Sequence, residues 1–150
     1  GRKVLILGGG LVGIEMAEHL GLEDHEVVVI ELLAETARDM EAITRKMTWK
    51  RLEKLPVEIH TKTRLARVDG KEAFVEDADD GHERSIGHFD SVLVAIGHKS
   101  YDPLSDGLRA AGLPVTVIGD AAEPGQIFDA TQAGRRAAET VVPRIERRTS

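Results

Sequence analysis

Three glycines and one carboxylate stand at a spacing that can hold a phosphorylated nucleotide. Gly8, Gly10 and Gly13 form G-x-G-x-x-G, and Glu31 follows 21 residues after Gly10. In this pattern the first glycine permits a tight turn. The second lets backbone approach a pyrophosphate, and the third lets a helix lie close on a sheet. The N–H groups that open a helix lack intrahelical partners and sit at its positive end, so a phosphate is their natural ligand. An acid ~20 residues further on is at the offset expected for binding adenosine ribose hydroxyls. By themselves the glycines are weak evidence, since a purely structural turn can carry them. Their weight comes from the elements around them.

Those elements are in register. The apolar run through Val4-Leu5-Ile6-Leu7 predicts a buried strand over residues 3–8. A helix from Leu11 to about Leu20 should turn Val12, Met16 and Leu20 inward and stop at Gly21. A second strand, Glu26 to Glu31, ends on the acid. Asp39 to Leu55 reads as a longer helix, with Met40, Ile43, Met47, Leu52 and Leu55 on its apolar side and Pro56 ending it. Trp49 falls off that stripe, where it would be a flank residue or a contact with a partner domain.

A third strand, Val57–Thr61, is followed by short strands and turns instead of a helix: 64–69, 71–76, the acidic turn 77–81 and 83–87. Ser91–Ile96 is a second buried run, His98–Leu113 a polar, turn-rich connection and Val115–Ile118 another short strand. Ile127 to Val142 predicts a helix with Ala130, Ala133, Gly134, Ala137 and Val141 inward. The expected fold is α/β, a Rossmann-like parallel sheet in which an antiparallel β-meander replaces one crossover helix. The strand order expected is third, second, first, 91–96, then 115–118, with ligand where the order reverses. Residues 1–97 form the nucleotide domain of this reading. Residues 98–142 complete the sheet or belong to another domain, and 143–150 form a frayed tail.

Composition narrows the partners. A net charge of −6 and few aromatics argue against a nucleic-acid surface. No apolar run reaches the 18 residues of a membrane span and no signal-like amino terminus appears, which makes a cytoplasmic location the default. With no cysteine, these residues hold no catalytic thiol, disulfide or cysteine-ligated cluster. The six histidines lack metal-ligand spacing, so no metal site is expected, and the acids around 76–80 lack a calcium-loop pattern. Tyr101 is the only tyrosine and is followed four residues later by Ser105, so no Tyr-x-x-x-Lys is present and no proton-transfer residue is identifiable. A methyltransferase binding S-adenosylmethionine over a similar turn stays open; Gly13, placed for a pyrophosphate-binding helix, counts against it.

The set Gly8-Gly-Gly-Leu-Val-Gly-Ile-Glu15, Val29-Ile-Glu31, Ala37-Arg-Asp39, Val92-Leu-Val-Ala-Ile-Gly97, Val117-Ile-Gly-Asp-Ala121 and Ile127-Phe-Asp-Ala130 with Gly134 resembles a known family. It is similar to the pyridine-nucleotide domain of two-dinucleotide flavoprotein reductases. Within them it is nearest the carboxyl-terminal region of the 2-enoate reductase, 2,4-dienoyl-CoA reductase and trimethylamine dehydrogenase group. The likeness runs from Gly1 to about Ala138.

The resemblance implies hydride transfer from NADH, preferred over NADPH, to a flavin held elsewhere in a parent enzyme. Gly8, Gly10, Leu11, Val12 and Gly13 would hold the pyrophosphate, Glu31 the ribose, and Glu15 would lie near the nicotinamide end. Read from the residues alone, Glu15 is an acid complementing the helix dipole. Gly97 closes the nucleotide domain, and Gly119-Asp120 returns to the flavin domain near FAD. Half of the flavin site is missing from this chain, which looks like an excised piece and is expected to be inactive alone. The other reading is a non-catalytic module that holds ADP structurally, as the likeness to trimethylamine dehydrogenase implies.

Overall fold

Alternation along two short apolar strands builds a sheet whose centre is buried on both faces, whereas the edge run 91–96, expected to be buried, is exposed at Val92, Val94 and Ile96. The computed structural model describes residues 1–146, with side chains as far as residue 140. Strands β1 (Lys3–Leu7), β2 (Glu26–Ile30), β3 (Val57–His60) and β7 (Ser91–Val94) form a parallel sheet in the order β3-β2-β1-β7. Strands β4 (Thr63–Asp69), β5 (Glu72–Asp77) and β6 (Glu83–His88) form a separate antiparallel sheet in chain order. Val4, Ile6, Val27 and Val29 pack with Ala17 of helix α1 (Leu11–Leu22), while Leu5, Val28 and Ile30 pack with Ala73 and Val75 of the antiparallel sheet and with Phe89, which follows it. Because strand side chains alternate, one run of apolar residues serves both layers. The chain divides into two units, Gly1–Gly97 and His98–Ser150.

The architecture is the expected α/β class; several faces and boundaries differ from the sequence reading. In α1 the buried residues are Gly13, Ile14, Ala17 and Gly21, whereas Val12 and Met16 are exposed and Leu20 is half-buried. Small residues at i, i+4 and i+8 bring this helix against the sheet more closely than the larger expected stripe could. Gly21 does not stop the helix, which runs on to Leu22. A Cβ there would lie 3.0 Å from the Val57 side chain and 3.1 Å from that of Leu55, so this glycine serves close packing.

Helix α2 is Ala42–Leu52, shorter than expected, with Glu41 accepting bonds from the Ile43 and Thr44 amides as its cap. Its buried residues are Thr48 and Leu52, with Trp49 packed beside them; Ile43 is 70% exposed and Met47 56%. Trp49 is therefore on the inner face. Met40 and Leu55 pack from the flanking turns, and counting them as helical rotated the expected stripe.

In the second unit, helix α3 (Ser105–Ala110) interrupts the connection read as turns, with Asp102 accepting from the Leu104 and Ser105 amides. Residues 115–118 form no strand, and the parallel sheet has four strands. An apolar run becomes a strand only where a neighbour supplies a ladder. Helix α4 spans Ile127–Glu146; Ala133, Gly134 and Ala137 are half-buried, and Ala130 is exposed. Val141 falls beyond the described side chains, and the expected tail lies, from residue 147, outside the described residues. No helix among the described residues is long and apolar enough to cross a membrane.

One carboxylate fastens the amino terminus to the link before β7. Asp90 accepts from the Arg2 and Lys3 amides at 2.8 and 3.1 Å and from Lys71 at 3.2 Å. The Lys3 amide first, then Lys71 and the Arg2 amide, hold its carboxyl down at about 2. A depressed folded-state value contributes stability that is present above the usual carboxylate value and lost as pH falls through the folded one. Asp90→Asn should therefore be less stable than the parent chain above pH ~4 and converge with it near pH 2. Urea unfolding across that pH range measures the difference; a constant gap at every pH would contradict it.

Candidate nucleotide-binding site

Where β1 ends, the chain turns through Gly8 at φ +101°, with its amide donating to the Ile30 carbonyl at 2.8 Å. A side chain on Gly8 would overlap the Ala95 carbonyl oxygen, so this turn needs glycine twice over. Gly10 is the residue before α1, and its carbonyl accepts the first helical bond from Ile14 at 3.0 Å. A Cβ on Gly10 would meet nothing within 4 Å; a Cβ on Gly13 would overlap the Gly8 carbonyl oxygen. One glycine faces open space, and the other presses the helix onto the turn. The Leu11, Val12 and Gly13 amides have no acceptor among the described residues, and the Leu11 and Val12 side chains are exposed. These are the unpaired donors of a helix start, with no side-chain cap competing for them.

Glu31 follows the last residue of β2 and is half-buried. Its Oε2 accepts from the Gly9 amide at 2.7 Å and its Oε1 from the Leu33 amide at 2.8 Å. The surrounding backbone is pinned too: the Glu31 amide donates to the His60 carbonyl, the Thr63 amide to the Glu31 carbonyl and the Lys62 amide to the Leu33 carbonyl. An ionised carboxylate offers about four lone-pair directions, so two remain for ligand hydroxyls.

Residues 32–37 are not helical. They double back until the Ala37 amide donates to the Gly9 carbonyl at 2.7 Å. Thr36 and Ala37 are buried there, Ala37 at φ +46°. A Cβ on Gly9 would lie 2.5 Å from the Thr36 methyl and 3.1 Å from the Glu31 Cβ. Gly9, Leu33 and Thr36 are thus parts of this corner to which the sequence reading gave no role, and Ala37 entered it only through the Ala37-Arg-Asp39 match of the family resemblance. The unbroken Gly8-Gly9-Gly10 was the available signal for Gly9; nothing marked Thr36.

The fold brings Gly8, Gly10, Leu11, Val12, Gly13 and Glu31 together at the carboxyl ends of β1 and β2. Glu15, one turn into α1, is exposed and has no partner among the described residues. Gly97, at φ +94°, ends the first unit. Gly119, at φ +60°, and the exposed Asp120 belong to a short 3-10 turn in the second unit. At the opposite ends of the strands, Lys3, Glu26, Leu55 and Pro56 line a shallow depression. Among the described residues no three metal-ligating side chains gather.

The family model described as pyridine nucleotide-disulphide oxidoreductase matches residues 1–124. An NADH oxidase of Thermoanaerobacter brockii is 31% identical over 144 residues, covering 89% of this chain and 20% of that protein. The mitochondrial dihydrolipoyl dehydrogenase 1 of Arabidopsis thaliana is 33% identical over 111 residues, 71% of this chain and 21% of that protein. The solved histamine dehydrogenase from Rhizobium sp. 4-9 matches with a TM-score of 0.79 and 26% identity, over 92% of this chain and 23% of that one. The chain spans about a fifth of the length of the curated relatives it matches.

Proposed function

Since the chain belongs to the pyridine nucleotide-disulphide oxidoreductase family, we propose that its first unit binds NADH and presents it to a flavin held by another part of a longer flavoprotein. One observation carries the reading. Three unpaired amides, at Leu11, Val12 and Gly13, begin α1 directly after Gly10, whose Cβ position is open space, and a carboxylate with lone pairs to spare bonds the neighbouring Gly9. That donor set fits a pyrophosphate joined to a ribose. Bound NADH would supply the hydride, while the chain supplies position and electrostatics. Leu11, Val12 and Gly13 donate to the pyrophosphate, Gly10 lets it approach, and Glu31 accepts from the adenosine ribose. The motif set over 8–15, 92–97 and 117–121 supports placing the parent enzyme in the 2-enoate reductase, 2,4-dienoyl-CoA reductase and trimethylamine dehydrogenase group. Gly119 and Asp120 contribute one exposed carboxylate and no phosphate cradle, too little to hold FAD unaided.

A second reading, a module that holds ADP without chemistry, is favoured by one fact. The paired carboxylate and the open amides suit the adenosine half, and Glu15, which the resemblance sets near the nicotinamide end, has no partner among the described residues. Calorimetric titration with NADH, ADP-ribose and S-adenosylmethionine tests both readings. NADH is expected to bind more tightly than ADP-ribose, and equal affinities would favour the module. Tighter binding of S-adenosylmethionine than of either would reject a dinucleotide site.

A further inference from the structure

We propose that Glu31 does more than read the ribose: its carboxylate is the latch that holds the pyrophosphate-binding turn in shape before any ligand arrives. The inference rests on the nucleotide reading above and adds a positioning role to it. Both polar groups of Gly9 are paired within the protein. Its amide donates to Glu31 Oε2 at 2.7 Å and its carbonyl accepts from Ala37 at 2.7 Å. Among the described residues the Gly9 amide has no other acceptor. The second carboxylate oxygen takes the Leu33 amide at 2.8 Å, so one side chain fastens the glycine turn to the loop that follows β2.

The backbone alone does not supply this tie. Gly9 lies between Gly8 and Gly10, and three consecutive glycines have more conformational freedom to lose than any other triplet. Ordering them beforehand spares the ligand that cost, which is how a preorganised loop gains affinity. The latch is also specific to a carboxylate. Glutamine has one acceptor oxygen and one NH2, so against two amide donors one of its ends faces donor to donor.

The test separates the two roles by removing the hydroxyls from the ligand. Affinities of ADP and of 2′,3′-dideoxy-ADP are measured by calorimetry for the parent chain and for Glu31→Gln. A latch predicts that Glu31→Gln weakens dideoxy-ADP on the order of tenfold, the size of one lost charge-assisted bond, and weakens ADP further. It also predicts, in the ligand-free protein, faster hydrogen exchange and a shifted amide resonance at Gly9, with the sheet amides of β1 and β2 unchanged. The unchanged sheet amides exclude general unfolding of the variant. If dideoxy-ADP binds parent and variant alike while ADP loses affinity, Glu31 is a ribose acceptor only and the latch is refuted. If the parent chain binds neither nucleotide, the nucleotide reading fails and the latch with it.

Discussion

Gly13→Ala should cost the first unit about 3 kcal/mol of stability, whereas Gly10→Ala should leave stability within about 1 kcal/mol and weaken nucleotide binding at least tenfold. The two substitutions add the same methyl group three residues apart. At Gly13 the methyl overlaps the Gly8 carbonyl oxygen, a backbone atom of a turn that is itself pinned to Ile30 and Ala95. Either α1 lifts from the sheet or the turn opens. Alanine's helix propensity returns about 1 kcal/mol, too little to offset overpacking against backbone. At Gly10 the methyl meets nothing within 4 Å and φ is −70°, which alanine adopts freely. The space it fills is the space a pyrophosphate would use, so NADH affinity should fall at least tenfold. Urea unfolding and calorimetry on both variants measure the contrast. Parent-like binding by Gly10→Ala would show that phosphate does not pass there.

NADH should bind at least tenfold more tightly than NADPH, and Glu31→Arg should invert the order. The ribose hydroxyls would donate to the two free lone-pair directions of Glu31, charge-assisted contacts worth ~1.5–3 kcal/mol each in favourable cases. A 2′-phosphate removes one donor and sets a second negative group against the carboxylate, and each 1.4 kcal/mol is a factor of about ten. Leu32, Leu33 and Ala34 supply no counter-charge. Arg38 is the cation to weigh. Were 32–38 helical it would stand two turns away, but the loop doubles back and Arg38 directly follows the residue bonded to Gly9. It is exposed, so it should soften the discrimination. Arg38→Ala is therefore expected to widen the NADH preference. Equal NADH and NADPH affinities in the parent chain would mean that Glu31 serves only Gly9 and Leu33.

Local chemistry explains which parts were legible in the sequence. Gly8, Gly10 and Gly13 fall within six residues of one another in a motif whose spacing reports their roles, and the strand runs carry their own period. Their places in the fold could therefore be read directly. The loop 32–37 could not, because its path depends on long-range bonds from Gly9, Lys62 and Thr63. The inner faces of α1 and α2 were misjudged for a related reason. Large apolar residues signal burial, yet the close approach of α1 selects Gly13, Ala17 and Gly21, and α2 buries Thr48 while exposing Ile43 and Met47. Residues 115–118 have the composition of a strand and lack a ladder. Only the assembled sheet decides that.

An adenosine dinucleotide is expected to lie over the glycine turn with its pyrophosphate on the first amides of α1. An NADH titration followed residue by residue through amide resonances tests it most directly. The largest shifts should fall on Leu11, Val12 and Gly13, with Gly9 and Leu33 moving as the ribose engages Glu31. Shifts confined to Lys3, Glu26 and Leu55, at the opposite ends of the strands, would contradict the account.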